Sequence, residues 1–191
     1  RQKKMSEIGK NLIVISGPSG CGKDTVVKYI LSHDDRFALS VSATTRAKRP
    51  YEVDGVDYIF LSTAEFISKI SKGEFLEHTL YCDNYYGTLK SQIEDKVKSG
   101  KVVILVIEVE GARNVKKVYP DSLTIFIAPP SLEELERRLR DRNTEDDGVI
   151  KQRLFKAKEE LGFQSSYDYI VENNYVEQCA RSIIKIFDGE K

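Results

Sequence analysis

Residues 11–32 read NLIVISGPSGCGKDTVVKYILS. Three patterns meet in that stretch. NLIVIS (11–16) is a short apolar run that halts at Gly17, as a strand buried on both faces should. DTVVKYILS spaces its apolar residues for one face of a helix. Between them, Gly17-Pro18-Ser19-Gly20-Cys21-Gly22-Lys23 is a glycine-rich turn with G-x4-G-K spacing. Glycines in this context let backbone N–H groups converge on phosphate oxygens, and the following helix N-terminus adds positive potential. Lys23 is placed to bridge the terminal phosphates of a nucleoside triphosphate. Such loops normally follow the lysine with a Ser or Thr that touches Mg²⁺. Asp24 stands there instead, with Thr25 one step on. Asp24 is expected to point outward or toward the metal, and Thr25 to supply a hydroxyl. Mg²⁺ would otherwise be held through water and phosphates.

Downstream, strand-like and helix-like runs alternate. FALSVSATT (37–45) begins as a strand and runs into the basic stretch RAKRPYEVDGVDY; YIFLS (58–62) is another strand. Ser62 with Glu65 forms a capping-box pattern ahead of a helix ending at Gly73. EFLEHTLYCDNYYGT (74–88) reads as short strands or a hairpin, and LKSQIEDKVKSG as a helix with a glycine stop. KVVILVIEV (101–109) is the most strand-like run and is expected to be central, followed by a short helix (111–118) and the strand SLTIFIA (122–128). PPSLEELERRLRDR starts a helix with Ser131 and Glu134 as a second box. NTEDDG is a loop, and Ile150, Leu154, Ala157 and Leu161 mark one stripe of a further helix. YDYIVEN is a last strand and YVEQCARSIIKIF a last helix. This alternation predicts an α/β fold with a parallel sheet covered by helices on both faces.

Composition narrows the function classes. Lys plus Arg and Asp plus Glu are 30 each among 191 residues, so the net charge is zero and no general nucleic-acid affinity is expected. No apolar run approaches the length of a membrane span, and no charged-then-apolar leader opens the chain. RQKK precedes the single methionine, Met5, and is left out of the fold reading. The cysteines Cys21, Cys82 and Cys179 are odd in number and far apart, which argues against a disulfide framework or a zinc site and fits a reducing, cytoplasmic setting. Cys21 reads as a small filler within the loop rather than a reactive thiol.

Several motifs in order resemble those of guanylate kinase, from about residue 11 to residue 187: GPSGCGK, SVSATTRAKRPYEVDGVDY, GEFLE, NYYGT, IEVEGA, IFIAPPS and RLRDRNTE. The resemblance implies transfer of the ATP γ-phosphate to GMP or dGMP, with Mg²⁺. It also implies one domain over residues 5–191. Within it lie a P-loop core (5–41, 91–129 and 161–191), a small mixed α/β GMP-binding subdomain (42–90) and a helical lid (130–160). Residues 17–25 with Asn173 match the family's ATP site. Ser42, Arg46, Arg49, Tyr58 and Tyr86 match the groups that hold the GMP phosphate. Glu77, Thr88 and Glu108 match those around guanine. Lys23, Arg46, Arg138, Arg142 and Arg153 match the residues that carry the transfer.

These assignments have physical sense. Two guanidiniums can grip one phosphate dianion through charge-assisted bonds. One carboxylate can accept from guanine N1–H and its 2-amino group together, whereas adenine presents an acceptor at N1. Arg138 and Arg142 are four apart and share a helical face. Two departures stand out. Val106 replaces an acid that the family often places in the metal region, and Asn143 replaces a common glycine. Two other readings fit parts of this pattern: a non-catalytic binding module of guanylate-kinase type, and a kinase acting on another phosphorylated small molecule.

Overall fold

The computed structural model describes residues 2–81, 83–141 and 147–189. The chain opens with α1 (Gln2–Lys10), β1 (Leu12–Ser16), α2 (Lys23–His33), β2 (Phe37–Leu39), β3 (Ala43–Thr44) and β4 (Ile59–Phe60). Then come α3 (Thr63–Ser71), β5 (Phe75–Tyr81), β6 (Asn84–Leu89), α4 (Lys90–Lys98), β7 (Val102–Val106) and α5 (Val109–Val118). The last elements are β8 (Leu123–Ala128), α6 (Leu132–Asp141), α7 (Asp147–Leu161), β9 (Tyr169–Glu172) and α8 (Val176–Phe187).

Five strands form a parallel sheet in the order β2-β7-β1-β8-β9. β1 is buried along its whole length, and its alternation sorts the core into two layers. Ile13 and Ile15 face Val26, Ile30 and Ile183 of α2 and α8. Leu12 and Val14 face Ile93, Ala112 and Val115 of α4 and α5. That is the period-two geometry of a strand with helices on both sides. The run 101–109, expected to be central, lies one place off centre as β7, and β1 takes the middle. β7 also stops at Val106: the Ile107 amide makes a last bond to the Ile15 carbonyl, and Glu108 takes the N-cap position of α5 without a side-chain capping bond.

The second sheet is small and mixed, in the order β4-β3-β6-β5. The stretch 37–45 is therefore divided: its first residues are β2 of the large sheet and its last are β3 of the small one. Phe66 of α3 is fully buried and stacks on Phe75 and Tyr85 with ring centroids 4.2 and 5.3 Å apart. The first expected box is complete, and of the second only the serine half forms, because the Glu134 carboxylate binds Arg137 and Arg138 instead. The Glu65 amide donates to Ser62 Oγ at 3.2 Å while the Ser62 amide donates to Glu65 Oε2 at 2.8 Å. The Glu134 amide donates to Ser131 Oγ at 3.1 Å. Ile150, Leu154 and Ala157 of α7 pack on Leu135 and Leu139 of α6.

The helix α1 was not expected and begins inside the segment left out of the fold reading. Its Ile8 is buried with Leu12 and Val14, and Ser6 Oγ donates to Asp121 at 2.7 Å. Among the described residues no helix is long and apolar enough to cross a membrane. Replacing the cap with Ser62→Ala is expected to lower stability by about 1 kcal/mol, read as a shift in the urea unfolding midpoint at unchanged slope.

Candidate active site

Adjacent parallel strands deliver two loops to one edge of the sheet. Ile15 pairs with Val106, so the loop after β1 and the turn after β7 leave side by side. Ser16 Oγ ties them by donating to the Ile107 carbonyl at 2.6 Å. Carboxyl ends of strands in such a sheet are where ligands bind.

The first loop runs from Gly17 to α2. Gly22 sits at φ 90° as the residue before the helix, and a Cβ there would come within 2.6 Å of Asn173 Nδ2. Gly20, at φ 89°, leaves no room for a Cβ beside Leu139. Both positions require glycine for conformation and for space. Pro18 is buried and Ser19 exposed at the rim. Lys23 Nζ donates to the Gly17 and Pro18 carbonyls at 2.5 and 3.0 Å, which holds the ammonium over the loop. Ser19, Gly20, Gly22, Lys23, Asp24 and Thr25 line a cavity of about 110 Å³. Asp24 and Thr25 are exposed, so a carboxylate and a hydroxyl stand beside the amide cradle. These hard oxygen donors suit Mg²⁺, which binds one or two protein oxygens and fills its shell from phosphates and water. Among the described residues no group of three or more His, Cys, Asp or Glu side chains could hold a metal. Val106 packs against the apolar core and offers no ligand.

Asn173 follows β9 and is buried, 3 % exposed. Its Nδ2 donates to the Cys21 carbonyl at 2.8 Å, and its carbonyl accepts from Arg138 Nη2 at 3.0 Å. One residue thus braces the loop and aims a guanidinium from α6. Asn173 Oδ1 is buried without a hydrogen-bond partner. Arg138 is held again by Glu134, its Nε donating at 2.8 Å. Arg137 and Arg138 together push the Glu134 carboxyl down to about 2. Arg153 of α7 reaches the loop, donating to Ser19 Oγ at 3.3 Å. Two of the expected arginines therefore converge on the phosphate loop. Arg142 and Asn143, like Cys82, lie outside the described residues.

The small sheet gathers a second cationic group. Arg46 lies over the Tyr58 ring, 5.4 Å from its centroid, and Tyr58 meets Tyr86 edge-on at 6.2 Å. Glu52 was not singled out in the sequence, yet it organises this group. It is buried, 7 % exposed; one oxygen accepts from Arg46 Nη2 at 2.6 Å and the other from the Arg49 amide at 2.8 Å. Arg46 pulls its carboxyl below the usual range. The signal available was an acid six residues after one arginine and three after another in RAKRPYE. The Arg49 side chain extends outward, Nη1 donating to Tyr51 Oη at 3.1 Å. Ser42 sits at the entrance to β3, its carbonyl accepting from the Ile59 amide.

Glu77 and Thr88 are opposite each other on β5 and β6. Both are buried, and Thr88 Oγ1 donates to Glu77 Oε1 at 2.6 Å. Burial raises the Glu77 carboxyl above its ordinary range and the Thr88 bonds pull it back. The other oxygen, Oε2, lies against Gly111, where a Cβ would come within 2.9 Å. Gly111 is in the first turn of α5, whose amides carry positive potential. Glu108, before that turn, is more than half exposed and stands 3.4 Å from Lys156 of α7. Burial, and then a hydrogen bond shared with Glu108, raise Glu160 to about 7. This acid, too, was not singled out in the sequence.

A family profile described as Guanylate kinase matches residues 9–190. A guanylate kinase of Bacillus cereus is 49 % identical over 180 residues, covering 94 % of this chain and 88 % of that protein. The crystal structure of guanylate kinase from Anaplasma phagocytophilum superposes with a TM-score of 0.75 at 34 % identity, covering 93 % of this chain and 84 % of that one. A shikimate kinase from Bacteroides thetaiotaomicron, covering 93 % of this chain and 98 % of its own, matches at TM-score 0.52 and 15 % identity, which is a likeness of fold alone.

Burial raises the Cys21 thiol against the opposing pull of Lys23, and burial pushes Cys179 up to about 12. Thiolates, not thiols, react with alkylating agents. Native protein in iodoacetamide at about pH 7.5 is therefore expected to keep both thiols unmodified while unfolded protein is labelled fully. Peptide mass mapping reads the result, and early labelling of Cys21 would contradict it.

Proposed function

Because the chain belongs to the guanylate kinase family, it moves the γ-phosphate of ATP onto GMP, and we propose the part that each of its own residues plays in that transfer. The observation that carries the reading is the buried Glu77–Thr88 pair. It is a hydroxyl-supported carboxylate with one oxygen turned to the first turn of α5, on the edge that also carries the phosphate loop. Glu77 accepts from guanine N1–H and the 2-amino group, and Thr88 meets O6. AMP is rejected because it would leave these buried groups unpaired.

The triphosphate of ATP lies in residues 17–25, with the loop amides and Lys23 on its terminal phosphates. Lys23 exchanges its bonds to the Gly17 and Pro18 carbonyls for bonds to phosphate oxygens. Asn173 keeps the loop in shape at the adenine end of the site. Arg46, Arg49, Ser42, Tyr58 and Tyr86 hold the GMP phosphate, and Glu108 faces the acceptor nucleotide. An oxygen of that phosphate, already ionised, attacks the γ-phosphorus in line as the bond to the β–γ bridging oxygen breaks, so no general base is required. Arg138 and Arg153 neutralise the charge that spreads over the transferred group. Mg²⁺, held at Thr25 or Asp24 with phosphates and water, would add charge neutralisation on the β- and γ-oxygens. Residues 42–90 act as the GMP-binding arm and 130–160 as the lid, and their closure keeps water from the γ-phosphate. A cytoplasmic setting fits because ATP and GMP are held there.

Assays with GMP, dGMP, AMP and ribose phosphates as acceptors test the reading through ADP release. Glu77→Ala is expected to lower kcat/KM for GMP about 100-fold or more and to leave that for AMP within about threefold, which erodes the preference. An unchanged GMP:AMP ratio would overturn the base-reading role. Glu52→Gln removes the charge that fixes Arg46, and is expected to raise KM for GMP about tenfold while KM for ATP holds.

A further inference from the structure

Glu160 occupies the last turn of α7, and its environment is unusual for an acid. Its side chain is only 12 % exposed. A negative charge near a helix C-terminus is itself disfavoured. The neighbour it bonds is another carboxyl, Glu108, at the mouth of the β7–α5 turn. Lys156, one helical turn earlier, stands 3.4 Å from Glu108 Oε2 and 3.7 Å from Glu160 Oε1. The groups facing Glu160 are thus Lys156 on its own helix, Glu108 before α5, Lys23 and Cys21 on the phosphate loop, and Tyr167 before β9, which also senses Arg113 of α5. Two acids can hydrogen-bond only if one keeps its proton. An acid largely shielded from water beside a second carboxyl carries a desolvation and charge-repulsion cost, so the arrangement calls for a use.

We propose that Glu160 is a positioning residue for Glu108: its carboxyl O–H donates to the Glu108 carboxylate and, with Lys156, holds that acid toward the acceptor nucleotide from the lid side. This rests on the role given above to Glu108. The chain sequence of contacts runs from the lid helix through Glu160 to Glu108 and on, through the first turn of α5, to Gly111 and Glu77. Closing the lid and shaping the guanine side of the cleft then become one event. When Glu160 loses its proton, two like charges repel beside Lys23, and Glu108 swings from its place. GMP binding weakens as the pH rises, and ATP binding follows much less.

The test compares wild type with Glu160→Gln, which keeps an N–H donor but cannot titrate, and with Glu160→Ala. KM for GMP of the wild type should rise about fivefold from about pH 6.5 to about pH 8.5, while that of Glu160→Gln stays level. Titration of the GMP phosphate is common to both enzymes and drops out of the comparison. Glu160→Ala should show raised KM for GMP throughout, with Gln restoring most of the loss. A Glu160→Gln profile parallel to the wild type would overturn the proposal. Glu108→Ala separates the layers. If it raises KM for GMP while the Glu160 variants do nothing, Glu108 keeps its role and the proposal alone fails; if it has no effect, both fail. Carboxyl ¹³C NMR of the wild type needs no folded Ala variant: Glu160 should titrate near neutrality and move down in Glu108→Gln. A Glu160 that titrates as an ordinary glutamate, indifferent to residue 108, would overturn the proposal.

Discussion

The hydrogen bond from Ser16 Oγ to the Ile107 carbonyl marks the junction on which the active site depends. β1 and β7 are parallel neighbours in register, so both chains must leave the sheet at the same edge. One exit becomes the phosphate loop and the other the turn that bears Glu108 and opens α5. The loop brings amides and an ammonium; the turn brings an acid and a helix N-terminus that accommodates the Glu77 carboxylate. A cleft with a positive floor and an acidic wall follows from the pairing of two strands.

The acids within the site do little for stability and much for direction. Ion pairs that water still reaches contribute about 1 kcal/mol or less, so half-buried Glu134 beside Arg138 adds little to the fold. It fixes a long side chain before substrate arrives, as Glu52 does for Arg46 and Asn173 does for the loop and for Arg138. Guanidiniums fixed in advance need not reorganise when charge moves between phosphates. In the transfer proposed above two polyanions meet, and Arg46 from the small sheet with Arg138 and Arg153 from α6 and α7 would offset their repulsion from both sides.

Local signals were legible where the chemistry itself is local. The G-x4-G-K turn, the Ser62–Glu65 and Ser131–Glu134 caps and the apolar stripe of α7 each depend on residues within a few positions of one another. Other features escaped because distant partners decide them. The helix α1 is held by Ile8 against β1 and by Asp121, more than a hundred residues away. Residues 37–45 read as a strand start, yet they feed two sheets, since β7 claims Phe37 and β6 claims Ala43. Neither Glu52 nor Glu160 was singled out in the sequence, and only shielding from water beside Arg46 and beside Glu108 sets them apart from the other acids.

The sequence alone thus determined the phosphate loop, the alternation that yields a parallel sheet, and, through its ordered motifs, the family. Spacing along a chain is enough to specify turns, caps and amphipathic faces. Tertiary structure decided which strand lies at the centre, that Asn173 serves as a buried brace, and which acids aim which arginines. These outcomes depend on through-space distance and on exclusion of water, and neither is written in the order of residues.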